Sequence, residues 1–170
     1  MIVRMVRVAL PVSLLATAVG ASARTTKRVL VLCTGNSARS QMAQGVLKSL
    51  DPRLDVQSAG TAPAPAVNPY AIRAMQELGI DISGAHPKHV KQFVNQSFDY
   101  VITVCDDADE NCPRFTGKVG TKTHIGFPDP AAAKGRDEDI MKVFRRVRDD
   151  IRTKFTDYYR REISTTLPPL

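Results

Sequence analysis

The sequence contains no tryptophan and only four tyrosines and six phenylalanines, so the interleaving of aromatic and basic side chains that stacks nucleic-acid bases is missing. It has three cysteines, an odd number, so they cannot all pair within one chain. The three histidines, His86, His89 and His124, form no ligand pattern, and the gap between Cys105 and Cys112 is wider than a zinc knuckle uses. They read as surface or capping histidines, and no metal site is expected. No apolar run is long enough to cross a bilayer, and no internal repeat, low-complexity tract or second-domain boundary interrupts the chain. These absences exclude a zinc module, a disulfide framework and a spanning membrane protein.

What remains is a chain of 170 residues, 43% hydrophobic and 24% charged, enough for one soluble domain. Lys and Arg outnumber Asp and Glu by 24 to 17, a formal charge of +7, but the cations are spread along the sequence. A mildly basic surface that helps capture small anions fits this better than nucleic acid. Residues 1–25 differ in kind: Arg4 and Arg7 precede an apolar run from Val8 to Val19, and Ala21-Ser22-Ala23 follows. This order reads either as a secretory signal cleaved after Ala23 or as an extension from an upstream start. The fold is therefore expected over residues 26–163, with 164–170 a flexible tail.

Arg28–Leu32 is apolar without alternation, the pattern of a strand buried on both faces. Ala43, Val46, Leu47 and Leu50 recur at helical spacing and predict a helix from about Arg39 to Leu50, ended by Asp51-Pro52. Leu54–Ser58 alternates like a second strand, with Ala59-Gly60-Thr61 as a turn. Asn68-Pro69 opens a helix expected to run through Leu78 and stop at Gly79. A short helix is predicted within His86–Gln96, strands at Tyr100–Val104 and Thr121–Ile125, and a long amphipathic helix carrying Ile140, Phe144, Val147, Ile151 and Phe155. Strands alternating with helices imply an α/β fold with a four-stranded parallel sheet in three αβα layers, whose ligand site lies beyond the strand C-termini. Cys33, Cys105 and Asp129 each follow a predicted strand.

Cys33-Thr34-Gly35-Asn36-Ser37-Ala38-Arg39 joins the first strand to the first helix. A loop of this composition can turn successive backbone N–H groups inward, making an anion nest at a helix N-terminus from Thr34, Gly35, Asn36, Ser37, Ala38 and Arg39. Arg39 adds a planar fork that grips two oxygens of a tetrahedral anion. The same donors stabilise a thiolate, so a lowered pKa is expected for Cys33, with Ser40 donating a further hydrogen bond to its sulfur. Asn36 is expected to bond the loop backbone and hold a left-handed turn. Asp129, stiffened by Pro128 and Pro130, is the candidate general acid. Cys105 and Cys112 bracket an acidic, flexible gap that would let one thiol reach the other, a redox relay.

The loop Val31–Ala43 resembles the active-site loop of the low-molecular-weight tyrosine phosphatase fold, and within that fold it is similar to the thioredoxin-coupled arsenate reductases. Ser58-Ala59-Gly60, Val67-Asn68-Pro69, Gly79–Ser83, Val101–Cys105 and Gly126–Ala131 match in the same order, so the resemblance runs from about Lys27 to Phe155. The loop identifies only the fold; the Cys105/Cys112 pair separates reductase from phosphatase. The resemblance implies that Cys33 attacks arsenate while Asp129 protonates the departing hydroxide. It further implies that Cys105 attacks Cys33 and Cys112 attacks Cys105, the Cys105–Cys112 disulfide then being reduced by thioredoxin. Phosphate and sulfate would act as analogues. No cofactor is bound, and a cytoplasmic monomer is expected because three free thiols need a reducing compartment. Three departures stand out. Ala38 lies where relatives often carry cysteine. Gln44 and Lys88 lie where some carry a Glu and an Asp around a potassium ion, which implies no potassium dependence. Ala131 lies where phosphatases often carry a stacking tyrosine, which disfavours the alternative reading as a tyrosine phosphatase.

Overall fold

The computed structural model describes residues 26–169, so the signal-like segment lies outside the described residues. The elements run β1 (Lys27–Cys33), α1 (Arg39–Leu50), β2 (Leu54–Gly60), α2 (Pro69–Gln76), a 3-10 turn at Val90–Gln92, β3 (Phe98–Thr103), α3 (Asp106–Glu110), β4 (Val119–His124) and α4 (Asp137–Tyr158). The four strands form one parallel sheet in the order β2-β1-β3-β4, as the alternation of strands and helices predicts.

β1 and β3 are central and apolar on both faces because each face meets a separate cluster. Val29, Val31 and Cys33 point into a large core with Ala43, Val46 and Leu47 of α1, Ala71 and Met75 of α2, and Phe144, Ile151 and Phe155 of α4. Leu30 and Leu32 point the other way, to Val90, Phe93, Phe98 and Val101. The second outer layer is thin, since the predicted helix within His86–Gln96 is reduced to the three-residue turn Val90–Gln92, capped by the His89 ring accepting from Lys91 N–H. β4 is largely exposed and carries Gly120, Thr121 and Lys122, as suits an edge strand.

α1 spans the predicted residues. α2 starts as predicted, its first turn capped by Asn68 accepting from Tyr70 N–H at 2.9 Å, with Pro69 at the first helical position. It ends two residues early, at Gln76, and Gly79 closes the turn at φ +71°. Glu77 just beyond it accepts from Arg145 and the buried Arg148, fastening α2 to α4.

Three expectations change. β2 does not turn at Ala59–Gly60 but continues through Gly60, which pairs with Cys33. The acidic gap after Cys105 is not irregular; it forms the short helix α3. The segment assigned as a tail is docked: α4 passes through a π-turn at Tyr159–Ile163 into a 3-10 turn at Ser164–Thr166. Leu167 then packs into the core, and the Pro168 carbonyl accepts from Arg53 at 2.7 Å. No helix among the described residues is long and apolar enough to cross a membrane.

Candidate active site

The Cys33 loop lies between the C-terminal end of β1 and the N-terminus of α1. The helix begins after Ala38, which has no side chain to cap it, so its first N–H groups and the helix dipole are directed to the loop. A hollow of about 370 Å³ is lined by Cys33, Thr34, Gly35, Ser37, Ala38, Arg39, Asp129 and Ala131. The structure thus brings together the residues that the sequence offers for attack, anion binding and proton donation.

Asn36 is the hub of this loop. It adopts φ +46°, the left-handed turn expected of it. Its side chain does not bond its own loop, however. Its Nδ2 donates to Ser40 Oγ at 2.9 Å and to Ser58 Oγ at 2.8 Å, while Oδ1 accepts from Lys88 N–H at 2.8 Å. Ser58 in turn donates to Gln44 Oε1, and Gln41 Nε2 donates to the Asn36 carbonyl at 3.0 Å and the His86 carbonyl at 3.2 Å. Asn36, Ser40, Gln41 and Ser58 are all buried, so this ring of bonds is satisfied away from water. Ser58 and Gln41 were not among the sequence candidates. The clue to Ser58 is the alternation of β2, which puts it at an inward position with Leu54 and Val56, where a hydroxyl must find partners.

Cys33 Sγ lies 2.9 Å from Ser40 Oγ, as expected, and receives the Asn36 N–H at 3.1 Å. Burial nevertheless pushes the Cys33 thiol above its ordinary pKa; the Ser40 hydroxyl and the backbone N–H groups of Ser40 and Asn36 pull it back, and neighbouring Cys105 pushes it up again. This corrects the expectation of a lowered value. Arg39, the one charged side chain of the loop, is engaged by other partners: Nη1 donates to the Phe127 carbonyl at 3.1 Å and Nη2 lies 3.4 Å from Asp129 Oδ1. Removing a donor from a thiolate raises its pKa, so Ser40→Ala should leave less thiolate at any pH below that pKa. Iodoacetamide alkylation of Cys33 at pH 8 is expected to slow about tenfold, because a hydrogen bond to a charged group contributes about 1.5–3 kcal/mol. The two proteins should converge at high pH, and equal rates at pH 8 would refute the role of Ser40.

The other thiols divide. Cys105 is buried in the same core cluster as Cys33, and its sulfur is 3.5 Å from Thr34 Oγ1 at the cradle's lip. Cys112 packs on the opposite face of the sheet, beside Phe98, Phe115 and Val119. Burial raises the Cys112 thiol, and the nearby Lys122 ammonium partly offsets this. All three cysteines are free. Between them, α3 is held by Thr103 Oγ1 donating to Asp109 at 2.8 Å and by His124 Nε2 at 3.2 Å from Asp106. No cluster of three or more His, Cys, Asp or Glu able to hold a metal occurs among the described residues.

A buried thiol, an arginine and a carboxylate around one strand-to-helix loop fit the model of the low molecular weight phosphotyrosine protein phosphatases, which matches residues 28–166. The chain belongs to that family. Among its relatives, an arsenate reductase of Halalkalibacterium halodurans is 48% identical over 74% of this chain and 89% of its own length. One from Bacillus subtilis is 41% identical over 78% and 94%. A solved arsenate reductase in the phosphate binding state superposes with a TM-score of 0.64 at 32% identity, covering 77% of this chain and 95% of that one.

Proposed function

We propose that this family member is an arsenate reductase that works by a three-cysteine relay and is regenerated by thioredoxin. The observation that carries the reading is Cys105, a second thiol at the lip of the Cys33 cradle, where phosphate-ester hydrolysis has no use for one. The high identity to relatives named arsenate reductase supports the substrate.

In this reading, arsenate sits in the hollow, bonded by the N–H groups of Thr34 to Arg39 and gripped by Arg39 once its guanidinium swings from Asp129 and the Phe127 carbonyl. The Cys33 thiolate forms a bond to arsenic as an As–O bond breaks, and Asp129 protonates the departing hydroxide to water. Cys105 then attacks Cys33 Sγ. The S–As bond breaks with its electron pair going to arsenic, so As(V) becomes arsenite and Cys33–Cys105 becomes a disulfide. Cys112 attacks Cys105, freeing Cys33 and oxidising the second pair, which a thioredoxin dithiol reduces. Cys112 starts on the other face of the sheet, so α3 must unwind to bring it round. Its five residues, with exposed Asp106 and no deep apolar anchor besides Ala108, suit that role.

The relay needs no resident metal or cofactor, and phosphate or sulfate would compete in the cradle. The reading takes the enzyme to be a monomer in the reducing cytoplasm, and the three free thiols support that compartment. The competing reading, a tyrosine phosphatase, is disfavoured by Ala131, which lines the hollow where an aryl ring would need a partner. NADPH oxidation coupled through thioredoxin reductase and thioredoxin decides between them. Arsenate-dependent oxidation that stops when thioredoxin is omitted is the expected result, and vigorous aryl-phosphate hydrolysis without it would reverse the assignment.

Potassium gives a separate check. The Asn36–Ser58–Gln44 chain ends on an amide rather than a carboxylate, and Lys88 enters it through its backbone N–H. Neither position offers the negative charge that a bound cation needs. Replacing sodium by potassium at fixed ionic strength is expected to leave turnover unchanged; a several-fold rise would contradict this.

A further inference from the structure

On the far side of Asn36 from the Cys33 hollow, α1 and the 79–88 loop enclose a second cleft of about 640 Å³. Gln41, Gln44 and Lys48 follow one another along one side of α1, and Lys88 faces them from the loop, with Ile80 and Ile82 as an apolar wall. Gln57 and His86 also line it, as does the exposed Asp81, whose carboxylate already accepts from Ser83 N–H at 2.8 Å. Lys88 is half-buried, and neither it nor Lys48 has an ion pair among the described residues. The carboxylate on which Lys48 acts, Asp55, is bound instead by Arg28 Nε at 2.9 Å and by Gln57 at 3.1 Å. Burial and the repulsion of Lys48 both disfavour the charge on Lys88. A cleft whose two ammonium groups lack an ion pair, one of them partly desolvated, is stabilised by a counter-anion.

We propose that this cleft is a second oxyanion site, binding a small multiply charged anion of the phosphate or pyrophosphate type between Lys48 and Lys88, and that its occupancy is felt at Cys33 through Asn36 and Gln41. The coupling is a short chain of contacts. Lys88 N–H holds Asn36 Oδ1, and Gln41 bridges the Asn36 and His86 carbonyls. Asn36 N–H in turn touches Cys33 Sγ. An anion that draws Lys88 and the His86 carbonyl segment toward α1 therefore fixes the residue that donates to the nucleophile.

Inorganic pyrophosphate is the probe, and the full chain bearing Arg39→Ala weakens the cradle's own grip. Calorimetric titration is expected to show one equivalent bound, with affinity falling as salt rises. Adding Lys88→Met should weaken binding at least about tenfold, and so should the milder Lys48→Gln, an exposed position that does not threaten folding; thermal unfolding of each variant confirms that it is intact. In the Arg39→Ala protein, pyrophosphate should also change the Cys33 alkylation rate, and Lys88→Met should abolish that response. Absence of binding, or binding in the lysine variants as tight as in the Arg39→Ala parent, would overturn the site. Binding without any change at Cys33 would overturn the coupling. Neither readout involves arsenate, so the outcome is independent of the proposed reaction.

Discussion

Serine in place of Cys105 or Cys112 is expected to reduce steady-state arsenate turnover with thioredoxin by at least about a thousandfold, because the thiols of a relay act as one unit. The two variants should fail at different points. With Cys105→Ser, no thiol at the lip can attack the Cys33–arsenic bond, so no arsenite appears. With Cys112→Ser, Cys105 still attacks, and the enzyme should release a single equivalent of arsenite and stop as a Cys33–Cys105 disulfide. Rapid-quench arsenite assays and mass spectrometry of the trapped protein distinguish the two. Full turnover by Cys112→Ser would remove that residue from the relay. The geometry is in keeping with that difference: Cys105 shares the core cluster of Cys33, whereas Cys112 packs on the other face of the sheet.

Gly60→Ala is expected to do comparable damage without touching a reactive group. A Cβ at Gly60 would lie 2.3 Å from the Thr34 carbonyl oxygen and 3.0 Å from Asn36 N. Both neighbours are backbone of the cradle itself, so no side chain can rotate aside. Relief requires moving β2 off β1 or pushing Thr34 and Asn36 out of place. Overpacking of this kind costs about 1–3 kcal/mol and occasionally more, and here the upper end is expected. Urea unfolding should show the loss of stability. The cradle's distortion should show as loss of the protection that saturating phosphate gives Cys33 against alkylation. A variant with wild-type stability and full protection would mean that the close approach is not required.

Gly60 illustrates how far local sequence carries. Read along the chain, Ser58-Ala59-Gly60-Thr61 ends an alternating run with a glycine, and a turn is the natural reading. Only the pairing of Gly60 with Cys33 makes it a strand residue whose missing side chain leaves room for the neighbouring loop. The same holds for Lys88. Its place in the sequence implies only the loss of a potassium site, while the fold adds a contact no local pattern shows, its backbone N–H holding Asn36.

The sequence by itself determined the parallel α/β order, the span of α1, the Cys33–Arg39 cradle, the Ser40 contact and the proximity of Asp129. These follow from local rules: apolar runs, helical periodicity and loop chemistry act over a few residues, and strands feeding helices in alternation leave little topological choice. The tertiary structure decided the rest. It made Asn36 a hub reaching β2 and the Lys88 loop, docked Leu167 on the core, and raised the Cys33 pKa through burial. It also separated Cys112 from the two thiols it is proposed to serve. Each of these depends on which distant segments meet and on how much water they exclude, and neither is a property of neighbouring residues.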